Sequence, residues 1–155
     1  MQESKLLLIS RDDIVKASNE KHGSEIFRLL AGLTRRNFHL LATAPQPERF
    51  VSSHGGPDDA LLGPNSIRKK ISDEGGVLDG VYYVPRSLLT QRRNRDQALQ
   101  DMLQRYSAKA NHCYLLSSSR KFVNAAIEIG IRGVHLDKNH LLLNELNILA
   151  KDLAK

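Results

Sequence analysis

Tryptophan is absent from this 155-residue chain, cysteine occurs once, methionine twice, and aromatic residues reach only 5%. A lone Cys113 cannot form an intramolecular disulfide, which excludes a disulfide-built scaffold and points to a reducing cytoplasm as the location. No apolar run approaches the ~20 residues that a bilayer-spanning helix requires. The longest are residues 5–9 and the leucines at 141–143. The first of these meets Arg11-Asp12-Asp13 at once, too short and too soon charged for a secretory leader. No internal repeat interrupts the chain, so one domain over residues 1–155 is expected. The scarcity of aromatics and the lack of any helix-turn-helix or RNA-recognition signature count against a dedicated nucleic-acid module.

What is present is ordinary globular composition, 41% hydrophobic and 26% charged, enough for a chain of this length to bury a core. The net charge of +6 suits an acidic partner, whether nucleic acid, anionic surface or phosphorylated ligand. That charge is divided among Arg35-Arg36, Arg68-Lys69-Lys70, Arg92-Arg93-Arg95 and Arg120-Lys121. A solvated face is the simple account of these clusters, and a contact surface for an acidic partner the sharper one.

The apolar pattern alternates between short uniform runs and helical spacing. Residues 5–9 read as a strand buried on both faces of a parallel sheet. Ile26, Leu29, Leu30 and Leu33 recur at helical spacing over 24–36, and residues 38–42 form a second strand, which together make a parallel crossover unit. Four prolines and His54-Gly55-Gly56-Pro57 mark about 44–65 as a loop-rich excursion. Further on, a short basic helix over 66–74 precedes a strand at 81–84, a helix over 95–106 and a strand at 113–116. A helix at 123–129 stopped by Gly130, a strand at 133–136 and a closing helix over 141–153 complete the order. The fold class is therefore α/β: a Rossmann-like, mostly parallel sheet with helices on both faces, whose ligands bind beyond the carboxyl ends of the strands. The closing helix carries Leu141, Leu142, Leu143, Leu146, Leu149 and Leu153, more than a core face needs, which leaves room for a homodimer interface.

At those strand ends stand Ile9-Ser10-Arg11-Asp12-Asp13, Leu41-Ala42-Thr43 and Leu116-Ser117-Ser118-Ser119. In order and spacing they resemble the first, second and fourth motifs of the haloacid dehalogenase superfamily of phosphatases. The stretch Gly76-Val77-Leu78-Asp79-Gly80-Val81-Tyr82-Tyr83-Val84-Pro85-Arg86 is similar to the segment that leads into the zinc loop of heptose-bisphosphate and histidinol-phosphate phosphatases. The resemblance spans nearly the whole chain.

It implies a nucleophilic aspartate that attacks phosphorus, a second aspartate two residues later that moves the proton, and magnesium held by carboxylates. Here the nucleophile position falls on Ser10, Asp12 keeps the acid/base position, and Asp13 replaces a usual glycine. Thr43 matches the phosphate-binding hydroxyl of the second motif. Arg92 and Arg93 fall at the basic third motif, the latter in place of lysine, a planar fork suited to phosphate. Ser118 and Phe122 replace the two aspartates of the fourth motif, so the magnesium site is expected to be lost. Val84, Arg86 and Gln91 stand where zinc ligands would be, and the six histidines show no ligand spacing.

No metal or other cofactor is therefore expected, and no catalytic set is intact. The expectation is an inactive phosphatase homologue that binds or regulates, its ligand a phosphate-type anion held by Ser10, Arg11, Asp12, Thr43, Arg92, Arg93 and Ser118, or a protein partner. An active phosphomonoesterase with a rearranged site is the second reading and a nucleic-acid-binding module the third. A serine nucleophile at Ser10 would need a base, and no histidine is fixed beside it by sequence.

Overall fold

The computed structural model describes residues 5–45, 66–84 and 92–154. Residues 46–65, most of the expected excursion, and 85–91, which include Arg86 and Gln91, lie outside that set.

The chain order is β1 (Lys5–Ser10), α1 (Arg11–Ser18), α2 (Ser24–Thr34), β2 (Phe38–Pro45), α3 (Ile67–Asp73), β3 (Gly80–Val84) and α4 (Arg92–Arg105). A 3₁₀ turn at Ala110–His112 then leads into β4 (Cys113–Ser117), α5 (Arg120–Glu128), β5 (Arg132–His135) and α6 (Leu142–Ala154). The five strands form one sheet in the order β3-β2-β1-β4-β5, with every pairing parallel. The doubly wound α/β expectation holds, and among the described strands the sheet is parallel throughout.

Alternation along β1 explains its uninterrupted apolar run. Leu7 and Ile9 enter one core cluster with Ile26, Leu30, Ile71 and Leu146, while Leu6 and Leu8 enter the other with Leu99, Met102, Phe122 and Ala126. Helices α1, α2, α3 and α6 thus cover one face and α4 and α5 the opposite one. Each fully buried leucine of this strand contributes about 2 kcal/mol of transfer free energy.

Two glycines permit close approach. Gly130 takes φ +96° just beyond α5, the left-handed turn that ends the helix as its sequence position predicts. A side chain at Gly76 would place its β-carbon 2.5 Å from the Ala31 Cα, so only glycine lets the segment leading to β3 pass under α2. Asp79 then fastens that segment: its carboxylate accepts the Leu40 N–H at 2.9 Å and lies 3.4 Å from His39 Nδ1.

One element departs from the expectation. Residues 11–18, for which the sequence pattern gives no element, form α1, which starts directly after Ser10. Only Ile14 of this helix is fully buried, so its amphipathic pattern is faint.

Candidate functional site

In a sheet of this order the chain winds outward from β1 in both directions, so the switch point lies between β1 and β4. Ser10 pairs with Thr43 in register, and Ile9 pairs with Leu116, which brings Ser10 beside Ser117. Ser117 pairs in turn with His135 on β5. The sequence-assigned Ser10, Thr43 and Ser118 therefore meet at one end of the sheet. Thr43 and Ser117 are buried, Ser10 half-buried and Ser118 exposed.

The acids here are committed to other work. Arg11 donates to Asp12 Oδ1 through Nε at 3.1 Å and Nη2 at 2.9 Å. The arginine side chain is only 12% exposed and the aspartate 64%, so Asp12, the residue expected at an acid/base position, is turned outward and held by its neighbour. Asp13 crosses the switch point: its Oδ2 accepts the Ser118 N–H at 2.9 Å, joining the ends of β1 and β4. The rest of the β4–α5 turn is satisfied from within, Ser117 Oγ accepting from Ser119 N and Ser119 Oγ from Phe122 N. The Ser118 N–H is therefore taken, which leaves that residue only its hydroxyl to offer an anion.

Phe122 does not line the site. It is 4% exposed and packs with Leu6, Leu8 and Val123 in the α4–α5 core, which fits an apolar ring and would leave a carboxylate in hydrocarbon. A divalent ion between Ser10 and Ser118 would meet hydroxyls, with Asp12 and Asp13 both engaged, so the residues present do not fit magnesium. The Ser10 hydroxyl makes no hydrogen bond to a described residue, so none of those residues stands to it as a base. Arg92 and Arg93 open α4, and their side chains lie outside the described set.

A cluster that spacing did not reveal sits next door. His135 Nε2 lies 3.0 Å from the Ser118 carbonyl oxygen, and its Nδ1 lies 3.6 Å from Asp137 Oδ2. Asp137 Oδ1 accepts from Asn139 N at 2.8 Å, His140 N at 2.9 Å and His140 Nδ1 at 3.1 Å. The Asn139 N–H and the His140 ring hold the Asp137 carboxyl below its ordinary range. The usable signal was His135-Leu136-Asp137 with His140 three residues on, a turn that folds two imidazoles around one carboxylate. Among the described residues no group of three or more His, Cys, Asp or Glu is placed to hold a metal ion.

Two of the four basic clusters are spent on internal contacts. Arg35, Arg36 and Arg68 donate to the carbonyls of Glu74, Ala150 and Leu78, while Lys69 pairs with Asp73 and Lys70 lies over the Phe27 ring. Cys113, buried in β4, has its thiol pushed up to about 12 by burial and is inert at neutral pH. No described helix is long and apolar enough to cross a membrane.

No family profile matches the sequence, and no curated protein matches it. Solved structures do. An uncharacterized protein from Corynebacterium glutamicum superposes with TM-score 0.61 at 17% identity, over 96% of this chain and 93% of its own. The D,D-heptose 1,7-bisphosphate phosphatase from B. bronchiseptica, complexed with magnesium and phosphate, gives TM-score 0.61 at 15% identity over 96% and 99%. A predicted hydrolase of the haloacid dehalogenase-like family from Porphyromonas gingivalis gives 0.54 at 9% identity over 97% and 99%. With its strand order, its strand-end residues and these likenesses taken together, the chain has the haloacid dehalogenase-like hydrolase fold.

Proposed function

We propose that this chain is a non-catalytic counterpart of the haloacid dehalogenase-like phosphatases, acting by binding a ligand or partner and not by turnover. The observation that carries the reading is the state of the β1 end. A hydroxyl stands at Ser10, where attack on phosphorus needs a carboxylate, and the remaining acid, Asp12, is held by Arg11 in solvent. What persists at the strand ends is suited to contact and not to chemistry: the Ser10, Thr43 and Ser118 hydroxyls beside a +6 chain.

The test is a magnesium-dependent assay with phosphate monoesters, including a heptose bisphosphate. The expected result is release of phosphate no faster than in a protein-free blank. Turnover above that blank which vanishes in Asp12→Ala would overturn the proposal, because it would make Asp12 a working acid. Restoring the nucleophile alone, in Ser10→Asp, is expected to give no activity, since Ser118 still withholds the carboxylate that magnesium requires.

A further inference from the structure

Four large apolar side chains stay exposed among the described residues: Val77, Ile127, Leu141 and Ile148. Val77 and Ile127 stand singly on separate elements, as scattered surface residues commonly do. Leu141 and Ile148, 46% and 51% exposed, share one helix. The Leu141 carbonyl accepts the Glu145 N–H at 3.0 Å, so the winding of α6 begins at Leu141, and Ile148 follows it seven residues on, along the same line of the helix. The leucines that the sequence gave this helix are used elsewhere: Leu142, Leu146 and Leu149 are buried in the core. α6 therefore has a second apolar stripe, and no described residue buries it.

The charges beside that stripe say what would cover it. Glu145 stands three residues before Ile148 and Lys151 three after. Glu145 is half-buried and Lys151 exposed, and neither side chain has a hydrogen bond or ion pair to a described residue. They cannot serve each other, because partners along one helix are three or four residues apart and these are six. If two copies of α6 lie antiparallel with Ile148 on the two-fold axis, residue 145 of one copy comes level with residue 151 of the other. Each Glu145 then meets Lys151 of the second copy, and symmetry makes the pair twice around one Ile148–Ile148 contact. Parallel copies would set Glu145 against Glu145 and Lys151 against Lys151, which like-charge repulsion opposes. The charge pattern is self-complementary in the antiparallel arrangement.

We propose that the outer face of α6 is a docking surface for a second copy of this chain, with Ile148 at its centre and two Glu145–Lys151 pairs flanking it. The inference goes beyond the binding reading given above and does not rest on it. α6 starts after the carboxyl end of β5 and reaches the level of the β2 start, where Arg36 donates to the Ala150 carbonyl at 3.1 Å, so it runs against the strands. An antiparallel pair accordingly turns the Ser10, Thr43 and Ser118 ends of the two copies in opposite directions and covers neither. One 13-residue helix from each copy buries less than the ~1,000 Å² of a stable interface, so the dimer is reversible, with Kd on the order of 0.1 mM.

The test is sedimentation equilibrium of the full-length protein from about 10 µM to about 1 mM, in ~0.15 M salt so that charges remote from the seam are screened. The average mass is expected to rise from the 17.4 kDa of one chain towards twice that value. Ile148→Glu, altered at an exposed position, is expected to weaken association at least about tenfold, since it sets two carboxylates on the axis. Glu145→Lys and Lys151→Glu are each expected to weaken it at least about threefold, and the double exchange Glu145→Lys/Lys151→Glu to restore it to within about twofold of the parent. If Ile148→Glu fails to fold by circular dichroism, the exchange series decides alone. A parent that stays monomeric to about 1 mM, or a dimer that Ile148→Glu leaves unchanged, would overturn the docking surface. A double exchange as weak as either single variant would overturn the antiparallel pairing, and with it the choice of a second copy as the partner.

Discussion

Replacing Asp13 with alanine removes a side-chain bond that spans the switch point. Its Oδ2 accepts the Ser118 N–H at 2.9 Å across 105 residues of sequence, so no local contact can substitute for it. A hydrogen bond to a charged group contributes roughly 1.5–3 kcal/mol when shielded. This one is exposed, so about 1 kcal/mol is the appropriate figure. Asp13 also lies in the first turn of α1, where a negative charge against the helix dipole adds about 0.3–1 kcal/mol. The total is a loss of about 1–2 kcal/mol, which for a chain of this size lowers Tm by roughly 2–8 °C. Urea denaturation followed by circular dichroism measures it, with an unchanged slope against urea confirming that the unfolded state is the same. Asp13→Asn keeps an acceptor oxygen and loses only the charge, so it should cost less than the alanine variant. The Ser118 amide resonance should move in Asp13→Ala and far less in Asp13→Asn. A loss for Asp13→Ala within about 0.5 kcal/mol of zero, the ordinary scatter for surface substitutions, or an unmoved Ser118 amide, would refute the bridge.

Three further outcomes follow from the same geometry. Gly76→Ala should destabilise the protein by about 1–3 kcal/mol, because its β-carbon would meet the Ala31 backbone at 2.5 Å and α2 must retreat; a melting temperature equal to that of the parent would disprove the close approach. Cys113, with its thiol pushed up to about 12 and enclosed in β4, should react with a disulfide reagent at pH 8 only after unfolding, and rapid stoichiometric labelling of the native protein would contradict its burial. Asp137 is held below the ordinary carboxyl value in the fold, so its contribution is present above about pH 4 and is lost as the pH falls through that value towards the folded pKa. A carboxyl NMR titration should show this depression shrinking in His140→Ala; an Asp137 that titrates normally in the parent would remove the turn's proposed bonding.

The strands were legible because a sheet covered on both faces demands uninterrupted apolar residues. Leu6, Leu7, Leu8 and Ile9 feed two cores in turn, as a strand covered on both faces does. α5 was legible at its end from Gly130, whereas its start at Arg120, three residues earlier than expected, depends on Ser119 accepting the Phe122 N–H. α1 was not legible, since Ile14 is its single fully buried residue and Ser10, the residue before it, makes no side-chain cap bond. At the site, sequence spacing located Ser10, Thr43 and Ser118 at one sheet end, but not what Asp12 and Asp13 do there. Those fates depend on side-chain direction: Asp12 folds back on the neighbouring Arg11, and Asp13 reaches another strand's turn. Phe122 was assigned to the site by its spacing from Ser118, yet helix geometry turns it into the core.

The most direct test of the central claim is a crystal of the protein grown with magnesium and phosphate. The account predicts Arg11 still bound to Asp12, Asp13 still bound to Ser118, and no octahedral ion between Ser10 and Ser118. A magnesium ion there with oxygen ligands at about 2.0–2.1 Å, one of them from Asp12 released by Arg11, would contradict it.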